Sequence, residues 1–382
     1  MQDEISFQQK LQEVQDFVAT RGRLFSKQIE ASGHVDKNVI EELRQRGYFR
    51  LTAPENLGGL GFSMHQYLEM LFYFAQLHGS LRVLIHVTNS LWRSLASKAS
   101  QQQLENFVRP FVNSEKWITF TLTEPHSGSG ADLKTTARRD GDDYLLNGEK
   151  WMIIFSDLAD YFLLFCRLED SQGSEGTLAF LVPRDSQGLT IELMQDAMGV
   201  TGTRHGHLYL RDCRVSASMR LGEEGDGLTV AFQGFLDPSR LAIGMTCVGL
   251  ADRALQLAVQ HASKRVTFGK TLLERPTIQM WIAEMATDIE AAKQLVFKAA
   301  ADFESGLTIA RQASMAKLFA SEMLQRVTDL ALQIHGGIGY FKGEMERIYR
   351  DARMLRFEEG TSETQKMTIA RSVIRQYRQN QS

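Results

Sequence analysis

The chain runs to 382 residues, 43% hydrophobic and 23% charged, with a formal net charge of −3. That length exceeds one typical core and points to two or three globular domains. The charge balance, with basic residues scattered rather than gathered, excludes a polycationic face for nucleic acid.

The first residues, MQDEISFQQK, resemble neither a secretory signal nor an Arg-rich transit peptide, so a cytoplasmic protein is expected. Residues 1–116 read as a helical domain. Its clearest start is SMHQYLEMLFYFAQL, where Ser63 and Gln66 have capping-box spacing ahead of an apolar periodic run. The preceding PENLGGLGF is glycine-rich, but it lacks GxGxxG spacing and follows no strand, so a connecting turn is the better reading.

Residues 117–225 change character. In DDYLLNGEKWMII, Asn147-Gly148 between apolar runs predicts a hairpin turn, because both positions tolerate φ > 0. YFLLFCRL, GTLAFLVP, LTIEL and HLYLRDCRV follow at short intervals and suggest a small β-barrel or sandwich. From 226 to 382 the period is helical again. Ile278, Ile282, Met285, Ile289, Ala292, Val296 and Ala299 form one stripe, Met315, Phe319, Met323, Val327, Leu330 and Ile334 a second, and Ile243, Cys247, Leu250, Ala254, Leu257 and His261 a third. Stripes of this kind pack in a bundle. The expected fold is therefore α+β and multidomain: an N-terminal all-α domain, a middle β domain and a C-terminal four-helix bundle.

No uninterrupted apolar run approaches the ~18 residues of a membrane span. Cys166, Cys213 and Cys247 lie far apart among apolar neighbours with no CxxC pair. They suggest buried free thiols in a reducing compartment, with no metal site and no disulfide framework. One segment stands out chemically: FEEGTSETQK, residues 357–366, sets two adjacent carboxylates before a Gly-Thr-Ser turn. Taken alone, it is better read as a solvated helix end than as a catalytic site.

Four segments shift that balance. FTLTEPHSGSGADL (120–133), RVTFGK (265–270), QIHGGIGY (333–340) and YRDARMLRFEEGTSETQ (349–365) together resemble the acyl-CoA dehydrogenase family, and the resemblance covers nearly the whole chain. It implies the same three-part fold, bound FAD and α,β-dehydrogenation of an acyl thioester to a trans-2-enoyl product. It also implies a separate electron-transfer flavoprotein as oxidant and a homo-oligomer, dimer or tetramer. The chemistry needs a carboxylate held at contact distance from a weakly acidic α proton, with its pKa raised in a desolvated site. The resemblance puts that base at Glu359, with Glu358 facing elsewhere. Some relatives carry the base earlier in the bundle, directly before an arginine; the matching residue here is Ser239, which cannot play that part.

The resemblance further implies that Gly360 lies against the acyl group and its NH near the thioester oxygen. Asp237 and Arg240 match positions on the CoA portion. Phe120, Leu122 and Thr123 would lie along the flavin ring, with Thr361 and Glu363 at the flavin nucleotide. Ser129 is the best match for a serine near the flavin phosphates that also meets the substrate. Arg265 and Phe268 match contacts to the pyrophosphate and adenine, the arginine through its planar donor fork. Gln333, Gly336 and Gly337 match a stretch against the adenosine half, and both groups would reach across to a neighbouring subunit.

Three departures bear on function. HSGSGAD carries two extra residues before Asp132 relative to the family's pattern, which loosens the register at Ser129. In KWMIIF, Met152 and Ile154 stand where the family has a flavin-covering tryptophan and a threonine that donates to the flavin. Trp151 sits one step off and on the opposite strand face unless a bulge intervenes. Pro276 stands where a glutamine often contacts FAD. Alternatives accordingly stay open: a dehydrogenase of a carrier-protein-bound acyl or aminoacyl thioester, a flavin monooxygenase of this fold, or a non-catalytic FAD- or acyl-binding module.

Overall fold

The computed structural model describes residues 2–128, 130, 132–171 and 175–381, and side chains from residue 5 onward. The N-terminal part folds as helices α1 (Gln2–Phe17), α2 (Arg23–Ser32), α3 (Lys37–Gln45), α4 (Met64–Phe74) and α5 (Gly79–Ser97), then the short α6 (Gln101–Gln103) and α7 (Arg109–Val112). The capping box forms as the spacing predicts. Gln66 N–H donates to the Ser63 hydroxyl at 3.3 Å, and Ser63 N–H donates to the Gln66 side-chain oxygen at 3.0 Å. The glycine-rich loop is a turn around Glu55–Leu57, and its reason is packing: a Cβ on Gly59 would meet the Ala53 carbonyl at 1.8 Å. Every residue of α5 from Gly79 to Leu91 is buried, and the helix touches α4, β1 and the long bundle helix α9 described below.

Strands β1 (Ile118–Thr121), β2 (Thr136–Asp140), β3 (Asp143–Ile153), β4 (Tyr161–Leu168), β5 (Thr177–Pro183), β6 (Leu189–Leu193) and β7 (Gly206–Ser216) build one sheet ordered β1-β4-β2-β3-β7-β6. β1 and β2 both run parallel to β4, and β5 pairs with β4 antiparallel. Phe162, Leu164, Phe180, Val182 and Leu208 fill a core of its own beneath the sheet.

The hairpin expected at Asn147-Gly148 is not there. The β2–β3 turn is Gly141-Asp142, between the paired Asp140 and Asp143, and Asn147-Gly148 lies inside β3. Gly148 still needs its freedom, but for a bulge: φ is +144° at a register shift against β7, and a Cβ would meet Thr135 at 2.7 Å.

The C-terminal part comprises α8 (Gly227–Ala231), α9 (Asp237–Lys264), α10 (Pro276–Glu304), α11 (Ala310–His335), α12 (Glu344–Met354) and α13 (Ser362–Gln379), with a small hairpin of β8 (Val266–Thr267) and β9 (Lys270–Thr271). On α10, Met285, Ile289, Ala292, Val296 and Ala299 are buried as read, with Ile278 and Ile282 half-buried. On α11, Met323, Val327 and Ile334 are buried as read and Phe319 and Leu330 are half-buried, but the first member of the stripe is not. Met315 is 42% exposed, and the buried face runs through Ala313, Ala316, Ala320, Leu324, Val327, Ala331 and Ile334. α11 packs against α9, and at its start Ala313 and Ala316 take the buried positions that the stripe gave to Met315. The helical stretch Gly227–Lys264 is long and apolar enough to cross a membrane by composition, but 67% of its most apolar window is buried inside the fold. All three cysteines are buried and free.

Candidate active site

The loop between α12 and α13 carries the acid pair. Glu359 has φ +55° and Gly360 φ +97°, two successive left-handed residues that reverse the chain. For a glutamate this backbone costs about 1–2 kcal/mol, so something must hold it. Gln365, in the first turn of α13, donates its amide to the Glu359 carbonyl at 2.9 Å and to that of Gly360 at 3.1 Å. Lys317 reaches over from α11 to the carbonyls of Gly360 at 2.8 Å and Arg356 at 3.2 Å. Arg240 Nε, from the first turn of α9, donates to the Glu359 carbonyl at 3.3 Å. A Cβ at Gly360 would press on the Gln365 amide at 2.9 Å, so glycine is required by space as well as by φ.

The two carboxylates are treated oppositely. Glu358 receives the guanidinium of Arg82, which is 2% exposed on α5; desolvation works against its ionisation, but that cation holds its pKa below the usual range. Among the described residues no cation meets the Glu359 carboxylate. Burial first, then the charge of Glu358, raises its pKa to about 7, against the opposing pull of Ser239, Arg240 and Lys317. The Ser239 hydroxyl lies 3.0 Å from Glu359 Oε1, and His86 Nε2 lies 2.7 Å from the Ser239 oxygen. Arg240 also binds Asp237 at 2.7 Å; both are largely buried, and burial lowers the arginine's pKa and raises the aspartate's. The structure thus places Asp237 and Arg240 behind the acid loop, with the arginine braced on its main chain.

The residues expected along a flavin ring come together beside this loop. Trp151 N–H donates to the Thr123 carbonyl at 2.9 Å, and the Thr119 hydroxyl to the Ile154 carbonyl at 2.8 Å, so the end of β1 and the end of β3 run side by side. Phe120, Thr123, Met152 and Ile154 are half-buried there, while Leu122 is fully buried. Phe120 packs 4.6 Å from the Phe235 ring, which lies 6.4 Å from the His86 ring. An unbroken line of contacts therefore links Phe120 to Glu359, and this half-open apolar shelf suits a planar aromatic cofactor. The bulge required for Trp151 is present. Lys150 pairs with Leu208 and Ile153 with Gly206, so β3 holds one extra residue between them, and Met152 takes φ +56°. Ile154 offers no side-chain donor. Ser129 lies outside the described residues.

Thr361 caps α13, its hydroxyl accepting from Thr364 N–H at 3.4 Å, and Glu363 is exposed in the first turn. Arg265 and Phe268 do not join the site. They follow the far end of α9, ~40 Å from Ser239 at 1.5 Å per residue, and Phe268 is 98% exposed. They are brought together with the other distant group, since His261 at the end of α9 stacks on His335 at the end of α11, 4.6 Å apart, directly before Gly336 and Gly337. Gln333 sits on the same last turn. Pro276 opens α10 at a position where its missing N–H costs nothing.

Arg82, His86, Lys317 and the buried Lys150–Glu124 pair, 2.8 Å apart, are site elements that the sequence reading did not single out. A signal existed for two of them: Arg82 and His86 are one helical turn apart in the otherwise apolar SLRVLIHV. Lys150 also donates to the Leu122 carbonyl at 3.1 Å and so anchors the strand end that bears Phe120, Leu122 and Thr123.

Two helical parts around a curled sheet, with a carboxyl of raised pKa joined by contacts to an aromatic shelf, define an oxidoreductase of the flavin-dependent dehydrogenase type. The chain belongs to the acyl-CoA dehydrogenase family: that family's N-terminal, middle and C-terminal domains match residues 6–115, 119–213 and 225–374. It is 35% identical to the caffeyl-CoA reductase-Etf complex subunit CarC of Acetobacterium woodii, over 91% of this chain and 92% of that one. The mouse mitochondrial short-chain specific acyl-CoA dehydrogenase is 36% identical over 89% of this chain and 83% of its own. The butyryl-CoA dehydrogenase structure from Megasphaera elsdenii superimposes with a TM-score of 0.91 at 32% identity, covering 96% of this chain and 98% of that one.

Proposed function

We propose that this enzyme binds FAD and removes an α proton and a β hydride from an acyl-CoA thioester, with Glu359 as the proton acceptor. The observation that carries the reading is a carboxyl whose pKa is raised to about 7, joined by contacts to the half-open shelf at Phe120. A general base works best with a pKa near the operating pH, and here burial and Glu358 supply the shift. Bound FAD supplies the acceptor for the hydride. Phe120, Leu122, Thr123, Met152 and Ile154 would hold its ring, and Thr361 and Glu363 its nucleotide. Arg265, Phe268, Gln333, Gly336 and Gly337 would hold the adenosine half of the cofactor in a second copy of the chain, because they stand too far from their own Glu359.

The main chain at Gly360 is gripped by Lys317 and Gln365. That fixes the direction of its N–H, which in this reading donates to the thioester oxygen and stabilises charge as the α proton leaves. Arg240 and Asp237 brace the loop on the CoA side. Electrons then pass to an electron-transfer flavoprotein; the Acetobacterium relative is named as a subunit of a complex with one. The test is anaerobic titration of the yellow holoenzyme with butyryl-CoA and longer acyl-CoAs, and with the same acyl groups on carrier protein. Bleaching by an acyl-CoA, abolished in Glu359→Gln, is expected. Bleaching that persists in Glu359→Gln, or none with any acyl-CoA, overturns it; bleaching by the carrier-bound thioester alone would move the substrate class.

A further inference from the structure

We infer that His86 is a positioning residue for the base, directing the single hydroxyl proton of Ser239 onto Glu359. The inference rests on Glu359 being the proton acceptor, and it adds a component supplied by a different helix.

A serine hydroxyl has one proton to donate and lone pairs to accept with. The Ser239 oxygen stands 2.7 Å from His86 Nε2 and 3.0 Å from Glu359 Oε1, so one proton faces two neighbours. If Nε2 carries hydrogen, His86 donates to the serine, and the serine proton is left for Glu359. If Nε2 is bare, imidazole and carboxylate compete for the same proton. The tautomer of His86 therefore decides whether the ionised base receives a hydrogen bond, and an anionic Glu359 selects the Nε2–H form.

The surroundings restrict His86 to this neutral part. Its side chain is 2% exposed. Around it stand Arg82 on its own helix, Glu358 on the acid loop, Ser239 on α9 and the Phe235 ring before α9. Desolvation, then Arg82, lower its pKa to about 3, so the ring stays uncharged through the working range. Its effect on Glu359 is thus directional, carried by one hydroxyl. Glu359 in turn faces Glu358, Arg240, Lys317 and Ser239, and only Ser239 donates to its carboxylate among the described residues. Without that bond the carboxyl would be more basic and less ionised at neutral pH. The serine has another acceptor available to a hydroxyl in a helix, the carbonyl four residues back; an Nε2–H donated into one of its lone pairs turns the hydroxyl proton toward Glu359 instead.

The test reads the acid limb of the pH profile of kcat/KM for anaerobic flavin reduction by whichever acyl-CoA bleaches the wild type. Ser239→Ala should move the limb upward by about one pH unit, the size of one charge-assisted hydrogen bond. His86→Leu should move it the same way, and His86→Gln, whose amide N–H can occupy the Nε2 position, should bring it back. In Ser239→Ala/His86→Leu the limb should lie where Ser239→Ala alone puts it, because His86 acts through the serine. Equal extra displacement in the double variant, or an unmoved limb in His86→Leu beside a moved one in Ser239→Ala, overturns the proposal. Should His86→Leu not fold, His86→Asn, too short to reach the serine, makes the same comparison. Failure of the base assignment itself looks different: Glu359→Gln would still bleach.

Discussion

The guanidinium of Arg82 meets the Glu358 carboxylate with both ends, Nη1 at 2.8 Å from Oε2 and Nη2 at 3.0 Å from Oε1. Of two adjacent acids, one is neutralised by a buried cation and the next is left with hydroxyl and distant charges. That asymmetry holds the first carboxylate ionised and raises the pKa of the second. Arg82→Met should strand a buried anion and destabilise the protein by ~3–5 kcal/mol, whereas Arg82→Met/Glu358→Met should recover most of the loss. Urea midpoints of the three proteins measure this. A double variant as weak as the single one would show that the pair itself is not what matters.

The same pair tunes its neighbour. Glu358 is the second cause of the high pKa of Glu359. Glu358→Gln removes the repelling charge and leaves Arg82 uncompensated, and both changes favour an ionised Glu359. The acid limb of flavin reduction, expected near pH 7 in the wild type, should move down in this variant. An upward move would mean that the loop had shifted rather than retuned. Glu359→Gln should lower the reduction rate by ~10²–10⁴-fold at every pH.

Glu359 also links function to stability. Its folded pKa of about 7 stands above the ordinary 4.5, so the folded protein holds this proton more tightly than the unfolded chain. The stabilisation is complete below pH 4.5 and is lost as pH rises through 7, a loss of ~3 kcal/mol by pH 8. Glu359→Gln lacks this loss. Its melting temperature should match the wild type near pH 4 and exceed it at pH 8. A gap that does not widen with pH would show that the carboxyl titrates normally.

Lys150 and Glu124 form a second buried pair, 0% and 2% exposed at the side chain. Glu124 also accepts the backbone N–H groups of Lys134 at 2.6 Å and Thr135 at 3.0 Å, so one carboxylate ties the residues just before β2 to the segment that follows β1. Lys150→Met leaves that carboxylate without its cation and frees the Leu122 carbonyl. The variant should purify with less flavin per chain and a lower melting temperature, measured by absorbance and calorimetry. Full flavin content would detach this pair from the cofactor site.

What was legible in the sequence follows the range of each interaction. The Ser63–Gln66 cap lies within one turn and reads directly. The acid loop reads because Glu359, Gly360 and Thr361 are consecutive and match a known family pattern. Asn147-Gly148 misled because a glycine with φ > 0 serves a bulge as well as a turn, and only the partner strand decides which. Met315 misled because Ala313 and Ala316 beside it, not the larger side chain between them, take the buried positions at that end of α11. Ser239 donates to a residue 120 positions away and Arg82 to one 276 away; no local pattern encodes such pairs, although a charged residue inside an apolar run hints that a partner exists.

The far end of the bundle raises the question of what covers it. Phe268 is 98% exposed, Tyr340 86%, Phe341 70% and Ile338 65%. A folded domain seldom leaves large apolar side chains open in one region unless a partner or ligand lies over them. The stacked His261 and His335 rings tie the two exposed segments into one surface. That surface stands ~40 Å along α9 from Ser239, beyond the reach of a flavin bound at its own chain's Glu359. A second copy supplying its own shelf would cover the aromatics and would bring Arg265 to phosphates it cannot reach in its own chain. The holoenzyme should therefore be a dimer or a multiple of one by light scattering, and Arg265→Glu/Phe268→Ser should release flavin although Glu359 and the shelf are untouched. A monomer that retains one flavin per chain would leave this surface without its proposed role.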